Sequence, residues 1–358
     1  MVAGPNSSAF ASEWSDGGGL RMATRCYNAD NMTKIFVTRD IPDHGLKLLK
    51  ARKGVQLSVY KEDKAIPRKE LLKRVQGVDI LLSLLTDKID ADVMDAAGPK
   101  LKMIANYAVG FDNIDLKAAA ERNIIVTNAA APEVSESVAE HAVAMIFALS
   151  HRIVETDAWT RQGKYKGWGP KMFLGIDLKG KTLGIIGGGA IGSAIARRLN
   201  HGFDVNIVYT DIKRNPQLEA DGAKFVTQEQ LLRHADFVSL HVPLLPSTQH
   251  LISTKQLKMM KKTAYLINTS RGPIVDELAL VKALRRGDIA GAALDVYECE
   301  PLIDCNPKDI YELRKLPNVV LTPHTASATV EARQAMSTTA ANNILAFLDG
   351  KQPPNAVR

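Results

Sequence analysis

From Thr33 onward the chain alternates short apolar runs with amphipathic stretches, and this alternation restricts the fold more than any other feature. "KIFVTRD", "VQLSVY", "VDILLSLL", "KMIANYAV" and "NIIVTNAA" form a first series. A helical stretch is expected over 132–162. A second series then reads "TLGIIG", "VNIVYT", "AKFV", "FVSLH", "AYLIN", "AALDV" and "VVLTP". Between these runs lie helical segments such as "VDELALVKALRR", where Leu278, Val281 and Leu284 recur every three residues. Runs that are apolar on both sides of the pleat belong to parallel strands covered by helices on both faces. A chain of 358 residues is too long for one typical core. The expectation is therefore an α/β protein of two doubly wound parallel-sheet domains. The first occupies 32–131 and the second 132–322. The segment 323–358 carries a helix ending at Gly350; with no strand left to serve in the second sheet, it is expected to return to the first domain. Residues 1–31, rich in Ser, Gly, Asn and Ala, read as a disordered tail.

The second series opens with "GIIGGGAIGSAIA" (184–196). Gly187, Gly189 and Gly192 have G-x-G-x-x-G spacing, between an apolar strand and an amphipathic helix, as a dinucleotide fingerprint requires. Gly187 permits the tight turn, Gly189 lets a pyrophosphate approach the backbone, and Gly192 lets the helix lie close to the strand. The phosphates then meet the free N–H groups of the helix N-terminus. Asp211 closes the next strand, 19 residues after Gly192. An acid there hydrogen-bonds ribose hydroxyls and repels a 2′-phosphate, so NAD is the expected cofactor, with NADH preferred. Lys213 and Arg214 stand close enough to offset that repulsion, which keeps NADPH possible.

All strands of such a sheet run the same way, and ligands bind beyond their carboxyl ends. Asp211, His241-Val242-Pro243, Asn268 to Gly272, Asp295 with Glu300, and Pro323-His324 all come directly after strands. Each has a structural reading when taken alone: a turn arginine, a loop-ending glutamate, a packed histidine, an inert Cys299. Together Arg271, Glu300 and His324 suit one reaction. Reduction of a 2-keto acid needs a hydride donor, a proton donor for the forming alkoxide and a cation for the carboxylate. The planar fork of arginine matches a carboxylate. A carboxylate beside a histidine stabilises the imidazolium, and the pair then serves as acid or base according to direction.

Composition excludes other classes. The net charge of +7 comes from scattered Lys and Arg mixed with acids, so no nucleic-acid partner is expected. No run reaches the length of a membrane span, and no membrane association is expected. Three cysteines form neither a disulfide framework nor a metal site, which points to a reducing compartment and a cytoplasmic protein without a metal.

"GIIGGGAIG", "LHVPLLPST", "INTSRGPIVDE", "GAALDVYECEP" and "LTPHTASAT" resemble the successive motifs of the D-isomer-specific 2-hydroxyacid dehydrogenases, over about 34–350. Within that family, "NYAVGFDNID" and "MFLGIDLKGKTLGIIG" are most similar to glyoxylate/hydroxypyruvate reductases. The resemblance implies a flavodoxin-like substrate domain, a Rossmann dinucleotide-binding domain and a homodimer. It implies that Arg271 binds the substrate carboxylate and carbonyl, that Glu300 pairs with His324, and that His324 moves the proton. Cofactor contacts are then expected from Gly187, Gly189, Ala190, Ile191, Gly192 and Asp211. Others are His241, Val242, Pro243, Thr248, Thr269, Ser270, Arg271, His324 and Asp295, the last holding the nicotinamide carboxamide. Leu84 and Leu85 would line the side-chain pocket, and the N–H groups of Val109 and Gly110 would meet the substrate, together with Arg271 and His324. Ala326 stands where many relatives have glycine. Glyoxylate or hydroxypyruvate is the expected substrate. Other 2-keto acids, such as 2-ketogluconate or pyruvate, and a corepressor-like NAD sensor are the alternatives.

Overall fold

The computed structural model describes residues 32–300 and 312–357. The expected tail and Pro301 lie outside the described residues, as do Cys26 and Cys305.

Two parallel sheets make the molecule. In the first, β1 (Thr33–Val37), β2 (Val55–Val59), β3 (Ile80–Leu84), β4 (Met103–Tyr107) and β5 (Ile125–Thr127) alternate with α1 (Asp43–Ala51), α2 (Arg68–Arg74), α3 (Ala91–Ala97) and α4 (Leu116–Glu121). The strand order β2-β1-β3-β4-β5 is that of flavodoxin-like sheets. Every residue of β4 is buried, the polar Asn106 included.

In the second sheet, β6 (Thr182–Ile186), β7 (Asn206–Thr210) and β8 (Lys224–Phe225) lie to one side, and β9 (Phe237–Leu240), β10 (Tyr265–Asn268), β11 (Gly291–Leu294) and β12 (Val319–Leu321) to the other. The order β8-β7-β6-β9-β10-β11-β12 reverses direction between β6 and β9. This is the Rossmann switch point, where ligands bind beyond the strand ends. One face of the sheet is covered by α5 (Pro132–Ser150), α7 (Ala190–Phe203) and α8 (Pro216–Ala220). The other is covered by α9 (Gln228–His234), α10 (Thr254–Met259) and α11 (Glu277–Arg286).

The single helix expected over 132–162 is two helices, α5 and α6 (Ile153–Arg161). Between them Arg152 adopts a left-handed conformation, φ 56°, with its guanidinium held on Glu155 at 2.8 Å through both Nε and Nη2. The Ser150 carbonyl turns away to accept from Ile176 N at 2.9 Å. Gly175 passes so close that a Cβ there would stand 2.3 Å from Ser150 O. A distant loop thus ends the helix.

The closing helix α12 (Val330–Leu348) does return to the first sheet. Ala332, Met336, Ala340, Ala341 and Ile344 are buried against Ile35, Val37 and Leu46. A Cβ on Gly45 would lie 2.0 Å from Ser337 O, so only glycine lets α1 and α12 approach this closely. Gly45 N donates to Ser337 Oγ at 3.0 Å. A short strand β13 (Ala356–Val357) then pairs antiparallel with β5 and covers an edge that would otherwise present unpaired backbone.

Candidate active site

The carboxyl ends of both sheets face one crevice, spanned by α5, whose Val134 and Val138 belong to the first core and whose Ala142 to Leu149 belong to the second. On the second-sheet side stands the glycine loop. Gly187 has φ 101°, and a Cβ there would meet the His241 carbonyl at 2.6 Å. A Cβ on Gly192 would sit 2.3 Å from Gly187 O, whereas one on Gly189 would point into open space. The 14-residue α7 starts at Ala190 with no side-chain cap; Gly189 and Ala190 are exposed, and Ile191 is half-buried. These free N–H groups, set behind open space, form an anion cradle. Across the switch point Thr269 is 8% exposed, and its Oγ1 is buried without a partner. A buried orphan hydroxyl costs free energy unless something meets it, so this rim fits a bound dinucleotide.

Asp211 faces the same loop: its carboxylate accepts from Gly188 N at 2.8 Å and Ile212 N at 2.6 Å. Arg214, by contrast, is turned outward. Its Nε and Nη2 lie 2.9 and 2.8 Å from the two Glu219 oxygens, and its guanidinium sits 5.4 Å over the Phe225 ring.

Ser270 Oγ donates to Val242 O, which ties the turn after β10 to the one after β9. Thr248 Oγ1 donates to Pro243 O at 2.6 Å and accepts from Leu245 N at 2.8 Å, so its hydroxyl braces its own turn. His241 Nε2 lies 2.8 Å from Ser239 Oγ. Burial pushes the His241 imidazole down to about 3, which keeps it neutral and leaves it no part in proton transfer near neutral pH.

His324 Nδ1 lies 2.6 Å from Glu300 Oε1, and both side chains are about three-quarters buried, with 23% and 24% exposed. His324 is held in a left-handed conformation, φ 55°, and Asp295 explains how. The Asp295 carbonyl accepts from His324 N at 2.8 Å. Its carboxylate, wholly buried, accepts from Thr322 Oγ1 at 2.6 Å and from the backbone N of Thr325 and Ala326, each at 2.8 Å. Asp295 therefore clamps the histidine loop, and its oxygens are largely committed to that task. His141 on α5 reaches the same clamp, with Nε2 3.1 Å from Thr322 Oγ1. Since Thr322 spends its one proton on Asp295, His141 Nε2 is the donor. Cys299, next to Glu300, is disulfide-bonded, which corrects the expectation of an inert small residue there.

The first domain contributes two loops. Leu84 and Leu85 are half-buried at the end of β3, on a turn pinned by Asp87, which accepts from Leu84 N at 2.8 Å. Val109 is 38% exposed at the end of β4, followed by Gly110. Arg271 crosses from the second domain to meet this loop: its Nε donates to Asp112 Oδ1 at 2.9 Å and its Nη1 to Ser270 O at 2.9 Å. The structure thus gathers Arg271, Glu300, His324, Val109, Gly110 and the glycine loop along one crevice. Asp112 and His141 were not singled out from the sequence. Asp112 sits inside the quoted "GFDNID", where an acid between a glycine and an asparagine reads as an ordinary turn; His141 reads as a polar point on a buried helix.

The family model for the "D-isomer specific 2-hydroxyacid dehydrogenase, NAD binding domain" matches residues 143–326. A glyoxylate reductase from Thermococcus litoralis is 50% identical over 330 residues, covering 90% of this chain and 96% of that protein. Among solved structures, the TT0316 protein of Thermus thermophilus superposes with TM-score 0.83 at 42% identity, over 91% of this chain and all of that one. A glyoxylate reductase from Paecilomyes thermophila gives TM-score 0.80 at 31% identity, over 91% of this chain and 98% of that one. With the glycine cradle, the paired His324 and Glu300, and relatives matched over nearly their whole length, this chain belongs to the D-isomer-specific 2-hydroxyacid dehydrogenases and is an oxidoreductase of that family.

Proposed function

We propose that the protein reduces glyoxylate, or the slightly larger hydroxypyruvate, to the corresponding D-2-hydroxy acid with NADH. The observation that carries the reading is the 2.6 Å contact between His324 Nδ1 and Glu300 Oε1, on the crevice that also holds Arg271 and the glycine cradle. The glycine loop, Asp211 and the turns after β9 and β10 would hold the dinucleotide, which would supply a hydride for the keto carbon. Arg271 grips the substrate carboxylate through its remaining N–H groups and polarises the keto oxygen. The N–H groups of Val109 and Gly110 share the carboxylate from the other side. His324 protonates the forming alkoxide from Nε2, because Nδ1 is occupied by Glu300, whose contact sets the orientation of the ring. Neutral His241 leaves His324 as the proton carrier.

The preference for NADH rests on the Asp211 carboxylate lying against the glycine loop, where it accepts from Gly188 N, and on Arg214, one of the two cations beside it with Lys213, being held by Glu219. The assignment of 32–131 to substrate, 132–322 to dinucleotide and 323–358 to the returning segment is part of this reading, as is a cytoplasmic enzyme. So is a homodimer. Ile153, Val154, Trp168 and Leu174 are 51%, 49%, 81% and 67% exposed, an apolar face that a second copy would cover.

The test is oxidation of NADH and NADPH by the purified chain with glyoxylate, hydroxypyruvate, pyruvate and 2-ketogluconate. Highest kcat/KM with glyoxylate or hydroxypyruvate and NADH is expected. A higher value with pyruvate or 2-ketogluconate overturns the substrate assignment. Tight NADH binding without turnover on any of the four would instead favour a nucleotide-sensing role.

A further inference from the structure

We propose that Asp112 is the positioning residue for Arg271, so that the substrate domain sets the arginine as it closes on the dinucleotide domain. The inference rests on the role given to Arg271 above. Arginine has five N–H donors in a planar fork. Nε is spent on Asp112 Oδ1 at 2.9 Å and one N–H of Nη1 on Ser270 O at 2.9 Å. Among the described residues the other three have no partner, and they lie on the Nη1–Nη2 end of the fork. The two contacts, one at Nε and one at Nη1, fix both the rotation of the guanidinium plane and the end it turns to a ligand. Only one of them comes from the arginine's own domain, and it is a backbone carbonyl one residue away; alone it leaves a long side chain free to swing.

Asp112 can hold so long a side chain because its own loop is rigid. Asn106, wholly buried, donates through Nδ2 to Gly110 O and Asn113 Oδ1, each at 2.9 Å. Ser83 Oγ, also wholly buried, donates to Asn106 Oδ1 at 3.1 Å. Asn113 Nδ2 donates to Leu84 O and Asp87 O at 3.0 Å, which joins this loop to the one that bears Leu84 and Leu85. The Asp112 carboxylate is therefore presented across the crevice from a fixed frame. Its partner is 22% exposed and it is itself 37% exposed, so the contact is partly shielded on the arginine side. Arg271 Nη2 also lies against Gly110, 1.7 Å from where a Cβ would stand. The backbone that is to share the substrate carboxylate and the guanidinium that is to grip it are thus brought together by one loop. An open crevice loses Asp112 and the orientation together, which keeps the cation unset until substrate is enclosed.

The test compares Asp112→Ala, Asp112→Asn and Arg271→Ala in the full chain. The readouts are steady-state kinetics with glyoxylate and NADH binding by fluorescence. A misplacement near 1 Å costs on the order of 10²-fold in rate. Asp112→Ala is therefore expected to lose about 10²-fold in kcat/KM, divided between a raised KM and a lowered kcat, with the NADH Kd unchanged. Asp112→Asn keeps an oxygen that accepts from Nε and should recover roughly tenfold of that loss. A role limited to loop folding would move the NADH Kd or show no recovery in Asp112→Asn, and either result overturns the proposal. Parent-like kinetics in Asp112→Ala also overturn it when Arg271→Ala is inactive. Parent-like kinetics in Arg271→Ala would remove the role of the arginine itself.

Discussion

Gly110→Ala separates the fold from the chemistry at the point where the two domains meet. Gly110 does not occupy the left-handed region, so alanine suits its backbone. The added methyl would stand 1.7 Å from Arg271 Nη2, 2.7 Å from its Cζ and 2.9 Å from Asp112 Oδ1. Ordinary contact is about 3.5 Å, so the guanidinium must retreat by about 2 Å. The 2.9 Å Nε contact with Asp112 does not survive a shift of that size. The obstructing atoms are the far end of a flexible side chain, so the retreat costs the fold little, and Tm should move by no more than roughly 2 °C. Catalysis depends on where the guanidinium ends. A misplacement of about 1 Å already costs on the order of 10²-fold, so kcat/KM for glyoxylate should fall by about 10²–10³, or about 3–4 kcal/mol of transition-state stabilisation. Thermal melts, NADH titration and steady-state kinetics on one preparation decide the matter. Parent-like kcat/KM with an unchanged melt would refute the placement of Arg271 against this loop; a collapse of Tm would show that Gly110 serves the fold.

Three further outcomes are expected. His324→Gln should fold and bind NADH while turnover falls by ~10²–10⁴, the usual weight of a general acid; unchanged turnover would remove His324 from the reaction. Glu219→Gln should free Arg214 and tighten NADP⁺ binding by several-fold, roughly the worth of one charged hydrogen bond in partly exposed surroundings, without a matching change for NAD⁺. The same Kd in parent and variant would show that the ion pair does not restrain the arginine. His241, with its pKa lowered to about 3, makes stability pH-dependent. The unfolded chain binds a proton near pH 6.5 and the folded one only near pH 3, so the contribution is complete above the unfolded value and is lost as pH falls towards about 3. At pH 5 the loss is at most about 2 kcal/mol, since the residue is intermediate in burial and keeps some solvent contact. His241→Gln should flatten the change in urea midpoint between pH 7 and pH 5; an equal slope in both proteins rules the linkage out.

Much of this was legible in the residue order, for a physical reason. Strands buried on both faces are mostly apolar, so β4, β9 and β11 announce themselves despite Asn106 and Ser239, and the residues just after each strand are then placed on one rim. Arg271, Glu300 and His324 come together because parallel strands end on the same side. The hidden part depends on contacts from far along the chain. Nothing within 132–162 marks the break at Arg152, because Gly175 and Ile176 make it by taking the Ser150 carbonyl. Arg214 stands near enough to Asp211 to suggest cofactor binding, yet Glu219 and Phe225 draw it aside. Asp295 lies in a motif that implies a cofactor contact, while its buried carboxylate holds the histidine loop. Asp112 gains its meaning only from an arginine of the other domain.

The return of α12 to the first sheet has a consequence for synthesis. Five strands of that sheet lie before residue 128, but part of its core comes from Ala332 to Ile344, and the edge beside β5 is paired by Ala356–Val357. The domain that leaves the ribosome first is therefore the last to be completed. It must wait, with an apolar face uncovered, while the whole second sheet is made. A chain truncated at residue 322 should carry a complete second sheet beside an unfinished first one, a state exposed to aggregation and to capture by chaperones.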